Sequence, residues 1–125
     1  MRTVLIIEDE KLLLDSYEQE LKTTFNVLKA ENGYSGLDIL SKNVGKIDCV
    51  TLDLLMPGLD GLEFLKTVKN DKEKYGNMPI IVLTNMKSEK VIKEAFDLNA
   101  ASYLIKSEVD YKNLIEEVNK VLGDK

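Results

Sequence analysis

Val4-Leu5-Ile6-Ile7-Glu8-Asp9-Glu10 carries four aliphatic residues straight into three carboxylates. The aliphatic part shows no polar alternation, so both faces of a strand built from it should be covered, as in a parallel sheet with helices on either side. The acids come where that strand must end. Ile80-Ile81-Val82-Leu83-Thr84 repeats the pattern with a hydroxyl in place of the acids. Short aliphatic or β-branched runs at 3–7, 26–30, 48–52, 79–83 and 102–105 alternate with longer segments of helical period at 10–22, 33–43, 61–70 and 88–98, and 110–122 closes the chain. In that last segment Leu114, Ile115, Val118, Val121 and Leu122 fall at i, i+1, i+4, i+7 and i+8, one apolar stripe. Five such repeats with right-handed crossovers predict an α/β domain, a three-layer doubly wound five-stranded parallel sheet. The periodicity alone leaves the strand order open. Residues 70–78 (NDKEKYGNM) are the most polar connection and read as a mobile surface loop.

The chain has 125 residues, one ordinary domain with no room for a second. Hydrophobic residues at 44% and charged residues at 31% give the balance of a globular protein. Lys and Arg total 17 against 22 for Asp and Glu, a net charge of −5, which argues against a direct nucleic-acid surface. The absence of His excludes a His-based triad or a His-ligated metal. The single cysteine, Cys49, excludes an internal disulfide and fits a reducing cytoplasm. No apolar run approaches the ~18 residues that span a bilayer. The stretch 4–7 is too short for the core of a signal peptide. The expected location is cytoplasmic, with no membrane partner.

Four of the five runs hand over, at the same end, to a residue capable of chemistry: Glu8 and Asp9, Asp53, Thr84 and Lys106. In an open parallel sheet the ligand site lies outside the carboxyl ends of the strands, so these side chains should converge. Each alone has a plainer reading. Asp9 and Thr84 could cap the next helix, Lys106 could lie solvated along the sheet edge, and Asp53 could start the turn before Pro57-Gly58. Their coincidence at one end favours a site. Carboxylates crowded together repel by ~4 kcal/mol per pair at about 4 Å with an effective dielectric near 20, more than one lysine offsets. A hard divalent cation does offset it, and Mg²⁺ typically uses one or two protein carboxylates while keeping positions for water and phosphate oxygens. A carboxylate beside Mg²⁺, with a lysine and a hydroxyl at hand, is equipment for making an aspartyl-phosphate.

Ile7-Glu8-Asp9-Glu10, Ala30-Glu31-Asn32-Gly33, Leu52-Asp53-Leu54-Leu55-Met56-Pro57-Gly58-Leu59-Asp60-Gly61, Pro79-Ile80-Ile81-Val82-Leu83-Thr84 and Tyr103-Leu104-Ile105-Lys106 together carry a family resemblance. Over essentially its whole length the chain resembles the receiver domains of two-component response regulators, of the chemotaxis type and flavodoxin-like in fold. The resemblance implies a strand order of 2-1-3-4-5 and phosphoryl transfer from a histidine kinase or phosphotransfer protein. It implies that Asp53 is the phosphoacceptor. It further implies that Asp9, Asp53 and the backbone carbonyl of Leu55 ligate Mg²⁺ directly, with Glu8 acting mainly through water. Thr84 would bind a phosphoryl oxygen, Lys106 would pair with the phosphoryl group, and Tyr103 would be an aromatic switch. Movement of Thr84 would open space for the Tyr103 ring, coupling the pocket to a face made by 88–98, 102–105 and 110–122. A downstream protein would bind that face. No catalysis is expected beyond the domain's own phosphorylation and dephosphorylation.

Several positions depart from the family pattern. Ser107 follows Lys106 where proline, often after a cis bond, is usual; a non-proline cis bond costs ~2.5–4 kcal/mol, so this one is expected to be trans or strained. Asn99 stands where a helix-ending Gly is common, a tolerable change because Asn accepts the left-handed conformation. Asn85 stands where a small residue is usual, and Glu8 replaces a frequent Asp. Leu55 and Met86, both apolar, flank the approach to a phosphoryl group, and a long-lived phosphorylated state is expected.

Other function classes fit less well. A flavin- or nucleotide-binding protein needs a Gly-, Ser- or Thr-rich loop where this chain has Glu8-Asp9-Glu10-Lys11. A hydrolase forming an aspartyl-phosphate needs an acid at 55, which is Leu. A phosphorylation-independent scaffold has no use for the full set of acids, hydroxyl and lysine. Residues 1–125 thus read as a single receiver domain without an output domain, either a stand-alone regulator or a receiver cut from a longer protein.

Overall fold

Strands β1 (Thr3–Ile7), β2 (Asn26–Ala30), β3 (Cys49–Leu52), β4 (Ile80–Thr84) and β5 (Ser102–Ile105) form one parallel sheet in the order β2-β1-β3-β4-β5. This is the order the resemblance implied. The structure is a computed structural model and describes residues 1–123. Among the described residues six helices connect and close the sheet: α1 (Lys11–Leu21), α2 (Gly33–Lys42), α3 (Gly61–Asn70), α4 (Lys72–Tyr75), α5 (Glu89–Asp97) and α6 (Tyr111–Val121). A single 3₁₀ turn, Lys106–Glu108, follows β5.

Alternation along the strands divides the core into two layers. Leu5, Ile7, Val50, Leu52 and Val82 pack with Leu40, Phe64, Leu65 and Ala95 on the side of α2, α3 and α5. Val4, Ile6, Cys49, Ile81 and Leu83 pack with Leu14, Tyr17, Leu21, Leu114 and Val118 on the side of α1 and α6. Both faces of β1, β3 and β4 are therefore buried, which is why those runs carry no polar alternation.

The segment 70–78 departs from its reading as a mobile loop. It contains α4, capped by Asp71, whose Oδ1 accepts from the Lys74 N–H at 3.2 Å, and ended by Gly76 at φ +96°. Tyr75 is buried in the α2–α3 layer and anchors it. Four residues are too few to show a helical period, so the charged composition masked the turn. Asn99 takes the left-handed conformation at φ 72°, as its place at the end of α5 predicted.

Candidate functional site

The register of the two central strands ends at Ile7↔Leu52, so Glu8 and Asp53 leave adjacent strands side by side. Backbone bonds Glu8 N–H to Ala30 O (3.0 Å) and Asp53 N–H to Ile7 O (3.2 Å) carry the ladders one residue further and fix both Cα positions. Carboxylate oxygens of Glu8, Asp9 and Asp53 all lie within 4.8 Å of one another. Glu8 is 2% and Asp53 5% exposed, while Asp9 is half-buried.

Lys106 enters from the turn after β5. Its Nζ lies 2.6 Å from Glu8 Oε1 and donates to Asp53 Oδ2 at 2.8 Å, with a side chain only 10% exposed. The solvated edge lysine is ruled out by that geometry. Glu8 Oε2 accepts from the Glu10 N–H at 3.0 Å, and Asp53 Oδ1 accepts from the Leu55 N–H at 3.2 Å. Asp53 thus starts a turn as well as facing the lysine. Asp9 does not cap α1: Glu10 holds that position with no side-chain bond, and Asp9 has no hydrogen bond or ion pair among the described residues.

Burial pushes the Glu8 carboxyl up, against the pull of its bond to Lys106. Burial alone would lower the Lys106 ammonium, but its hydrogen bonds to Asp53 and Glu8 outweigh this and raise it. The lysine therefore stays charged and faces two carboxylates, with Asp9 beyond its reach. Three hard oxygen donors with one offsetting cation suit a hard divalent ion that keeps solvent positions, and the cluster could hold one. Leu55 meets the site through its N–H.

Thr84 ends β4, fully buried, and its Oγ1 accepts from the Met86 N–H at 3.4 Å. It does not cap α5, a role taken by Ser88. Tyr103, half-buried on β5, donates its hydroxyl to Met86 O at 2.6 Å, and its ring lies 6.5 Å from that of Phe96. Thr84 and Tyr103 are thus both tied to one residue, Met86.

Two features of the site escape sequence reasoning. Tyr17, apparently one more apolar residue of α1, lines a cavity of about 250 Å³ together with Lys106. The second is a bond from the Ser107 N–H to Asn85 Oδ1 at 2.9 Å, beside a Lys106–Ser107 peptide that is trans, as expected, no peptide bond among the described residues being cis. A larger hollow of about 490 Å³ runs along β5 and α6, outside the carboxylate cluster.

Comparison with known proteins bears on the same residues. The sequence model of the response regulator receiver domain matches residues 4–119. Sporulation initiation phosphotransferase F of Bacillus subtilis (strain 168) is 32% identical over 122 residues, 95% of this chain and 92% of that protein. Transcriptional regulatory protein CrdR of Helicobacter pylori is 29% identical over 98% of this chain, which spans 56% of its length. The chain spans less than two thirds of several other curated relatives, down to 7% of histidine kinase P4 of Formosa agariphila. Among solved structures, a response regulator receiver domain protein from Clostridium thermocellum superposes with a TM-score of 0.86 at 28% identity, covering 98% of this chain and 95% of that one. A match from β1 to α6 leaves no strand of the sheet outside it, and the chain belongs to the response regulator receiver domain family of two-component signalling.

Proposed function

We propose that Asp53 accepts a phosphoryl group from a histidine kinase or phosphotransfer protein, in a Mg²⁺-dependent reaction, and that the domain signals in the cytoplasm through a downstream protein. The observation that carries this reading is the convergence on Asp53. One carboxylate oxygen faces the Lys106 ammonium and the other a backbone N–H, and Glu8 and Asp9 stand within 4.8 Å. A net charge of −5 supports a protein partner rather than nucleic acid. No helix among the described residues is long and apolar enough to cross a membrane.

In the transfer, a carboxylate oxygen of Asp53 attacks phosphorus in line. The new oxygen–phosphorus bond forms as the bond to the donor's leaving group breaks. Positioning and charge neutralisation carry most of the catalysis. Asp9, Asp53 and the Leu55 carbonyl would hold Mg²⁺, with Glu8 acting through water, and the ion when bound supplies charge neutralisation for the phosphoryl oxygens. Lys106, kept charged by its carboxylate partners, shifts to the incoming phosphoryl oxygens. The Thr84 hydroxyl donates to another oxygen. The domain catalyses only its own phosphorylation and dephosphorylation.

Thr84 and Tyr103 form the switch. Drawing Thr84 Oγ1 toward a phosphoryl oxygen takes it from the Met86 N–H, while Tyr103 holds the Met86 carbonyl. The change passes to the face of α5, β5 and α6. Moving the population from 1:99 to 99:1 requires ~5.5 kcal/mol of preference, so one hydrogen bond and one ion pair shift it partially.

The test is incubation of the chain with a small acyl phosphate and Mg²⁺, followed by intact-mass measurement. One phosphoryl group is expected on the natural sequence and none on Asp53→Asn. Asp9→Ala is expected to remain folded and fail to label. Undiminished labelling of Asp53→Asn would overturn the assignment.

A further inference from the structure

β5 is an edge strand bonded to β4 alone, and its register ends at Thr84↔Ile105. Lys106 is the first residue past that ladder, in a single 3₁₀ turn whose start has no side-chain cap. A lysine stem is long and flexible, so the aim of its Nζ is only as well defined as the backbone it leaves. Two contacts tie this turn to the loop after β4. Lys87 Nζ pairs with Glu108 Oε2 at 2.8 Å, but those side chains are 60% and 61% exposed, which makes a weak tether. The second is the bond from the Ser107 N–H to Asn85 Oδ1 at 2.9 Å, which grips the peptide itself.

That bond needs a residue other than proline at 107 and an acceptor side chain at 85. Proline at 107 has no N–H to donate, and a small aliphatic residue at 85 has no acceptor. Asn85 is also the neighbour of Thr84. One side chain therefore ties the strand end that carries the hydroxyl to the turn that carries the ammonium.

We propose that Asn85 is a positioning residue for Lys106, its Oδ1 holding the Ser107 N–H so that the peptide leaving β5 aims Lys106 at Asp53 and at the phosphoryl group Asp53 receives. Asn85 acts through the backbone and does not itself touch the phosphoryl group. The proposal rests on Asp53 being the phosphoacceptor, and the test separates the two.

The rate of labelling by a small acyl phosphate is measured at saturating donor and Mg²⁺, on the full chain. Asn85→Ala should slow it about threefold to tenfold, the effect of one lost hydrogen bond, with the Mg²⁺ dependence unchanged because Glu8, Asp9 and Asp53 are intact. In a Lys106→Ala background the same substitution should cause no further drop. The Ser107 amide should lose its protection from hydrogen exchange in Asn85→Ala, while the urea midpoint moves little because Asn85 is exposed. Natural-rate labelling of Asn85→Ala with loss of amide protection would reduce the bond to a structural tie and overturn the proposal. So would an equal drop in the Lys106→Ala background. Absent labelling of the natural sequence, or undiminished labelling of Asp53→Asn, would instead overturn the phosphoacceptor reading on which the proposal stands.

Discussion

Asn85 bears on how long a phosphoryl group stays as well as on how it arrives. Hydrolysis needs a water in line with the bond between phosphorus and Asp53. Leu55, two residues after Asp53, is 54% exposed, and Met86, two after Thr84, is half-buried. Neither side chain can orient a water. Asn85 is the polar residue beside them, and its carbonyl oxygen is already taken by the Ser107 N–H. Slow hydrolysis is the expected outcome, and each factor of ten needs only ~1.4 kcal/mol of barrier. The phosphorylated Leu55→Asn, Met86→Glu double variant should lose its label about tenfold faster or more, read by mass against time. Equal decay would show that these side chains do not govern the water. At this scale the sequence was legible wherever an apolar run stops, which located Glu8, Asp9, Asp53, Thr84 and Lys106. The bonds Ser107–Asn85 and Tyr103–Met86 were not legible, because their partners lie 22 and 17 residues apart and no local pattern marks them.

Among the elements, α3 is seated against the site more tightly than its apolar stripe reveals. Gly61 is its first residue and donates its N–H to Leu54 O at 3.0 Å. A Cβ there would stand 2.5 Å from the Leu54 Cα and 2.8 Å from the Asp53 carbonyl oxygen, so backbone would have to move. Propensity alone favours alanine over glycine by about 1 kcal/mol inside a helix. The close approach reverses that sign, and Gly61→Ala should destabilise by ~1–3 kcal/mol, measured as a lower urea midpoint. A stabilised variant would show that α3 shifts freely. The strands and long helices were legible as elements because each buries a face and shows a period. The turn α4 was not, since its single buried residue, Tyr75, sits among charged neighbours. The order of strands came only through the family resemblance, as alternation says nothing of which neighbour a strand chooses.

Across the molecule, several groups among the described residues pull its stability in one direction at high pH, Cys49, Tyr17 and Lys106 among them. Cys49, fully buried in the α1–α6 layer, has its thiol pushed by burial from an ordinary 9.0 up to about 12. Tyr17 in the same layer is pushed, also by burial, from 10.0 to about 12. Between the ordinary and folded values of each, the unfolded chain gives up its proton first, so stability falls as pH rises. Lys106 agrees in sign: burial lowers its value, its bonds to Asp53 and Glu8 raise it further, and its contribution is full below 10.5 and lost through the higher folded value. A two-state domain should therefore weaken above pH 9, with Cys49 acting first. Each group contributes at most ~1.4 kcal/mol per pH unit over its window. The net charge of −5 grows more negative over the same range, a background shared by any variant that keeps the other charges. Cys49→Ala gives up roughly 1 kcal/mol of packing at neutral pH. Its urea-unfolding free energy should then decline less than that of the natural sequence between about pH 9 and 10, before Tyr17 begins to titrate. If the two curves instead run parallel through that window, Cys49 is not the group that ionises first on unfolding, and the alkaline weakening must begin elsewhere.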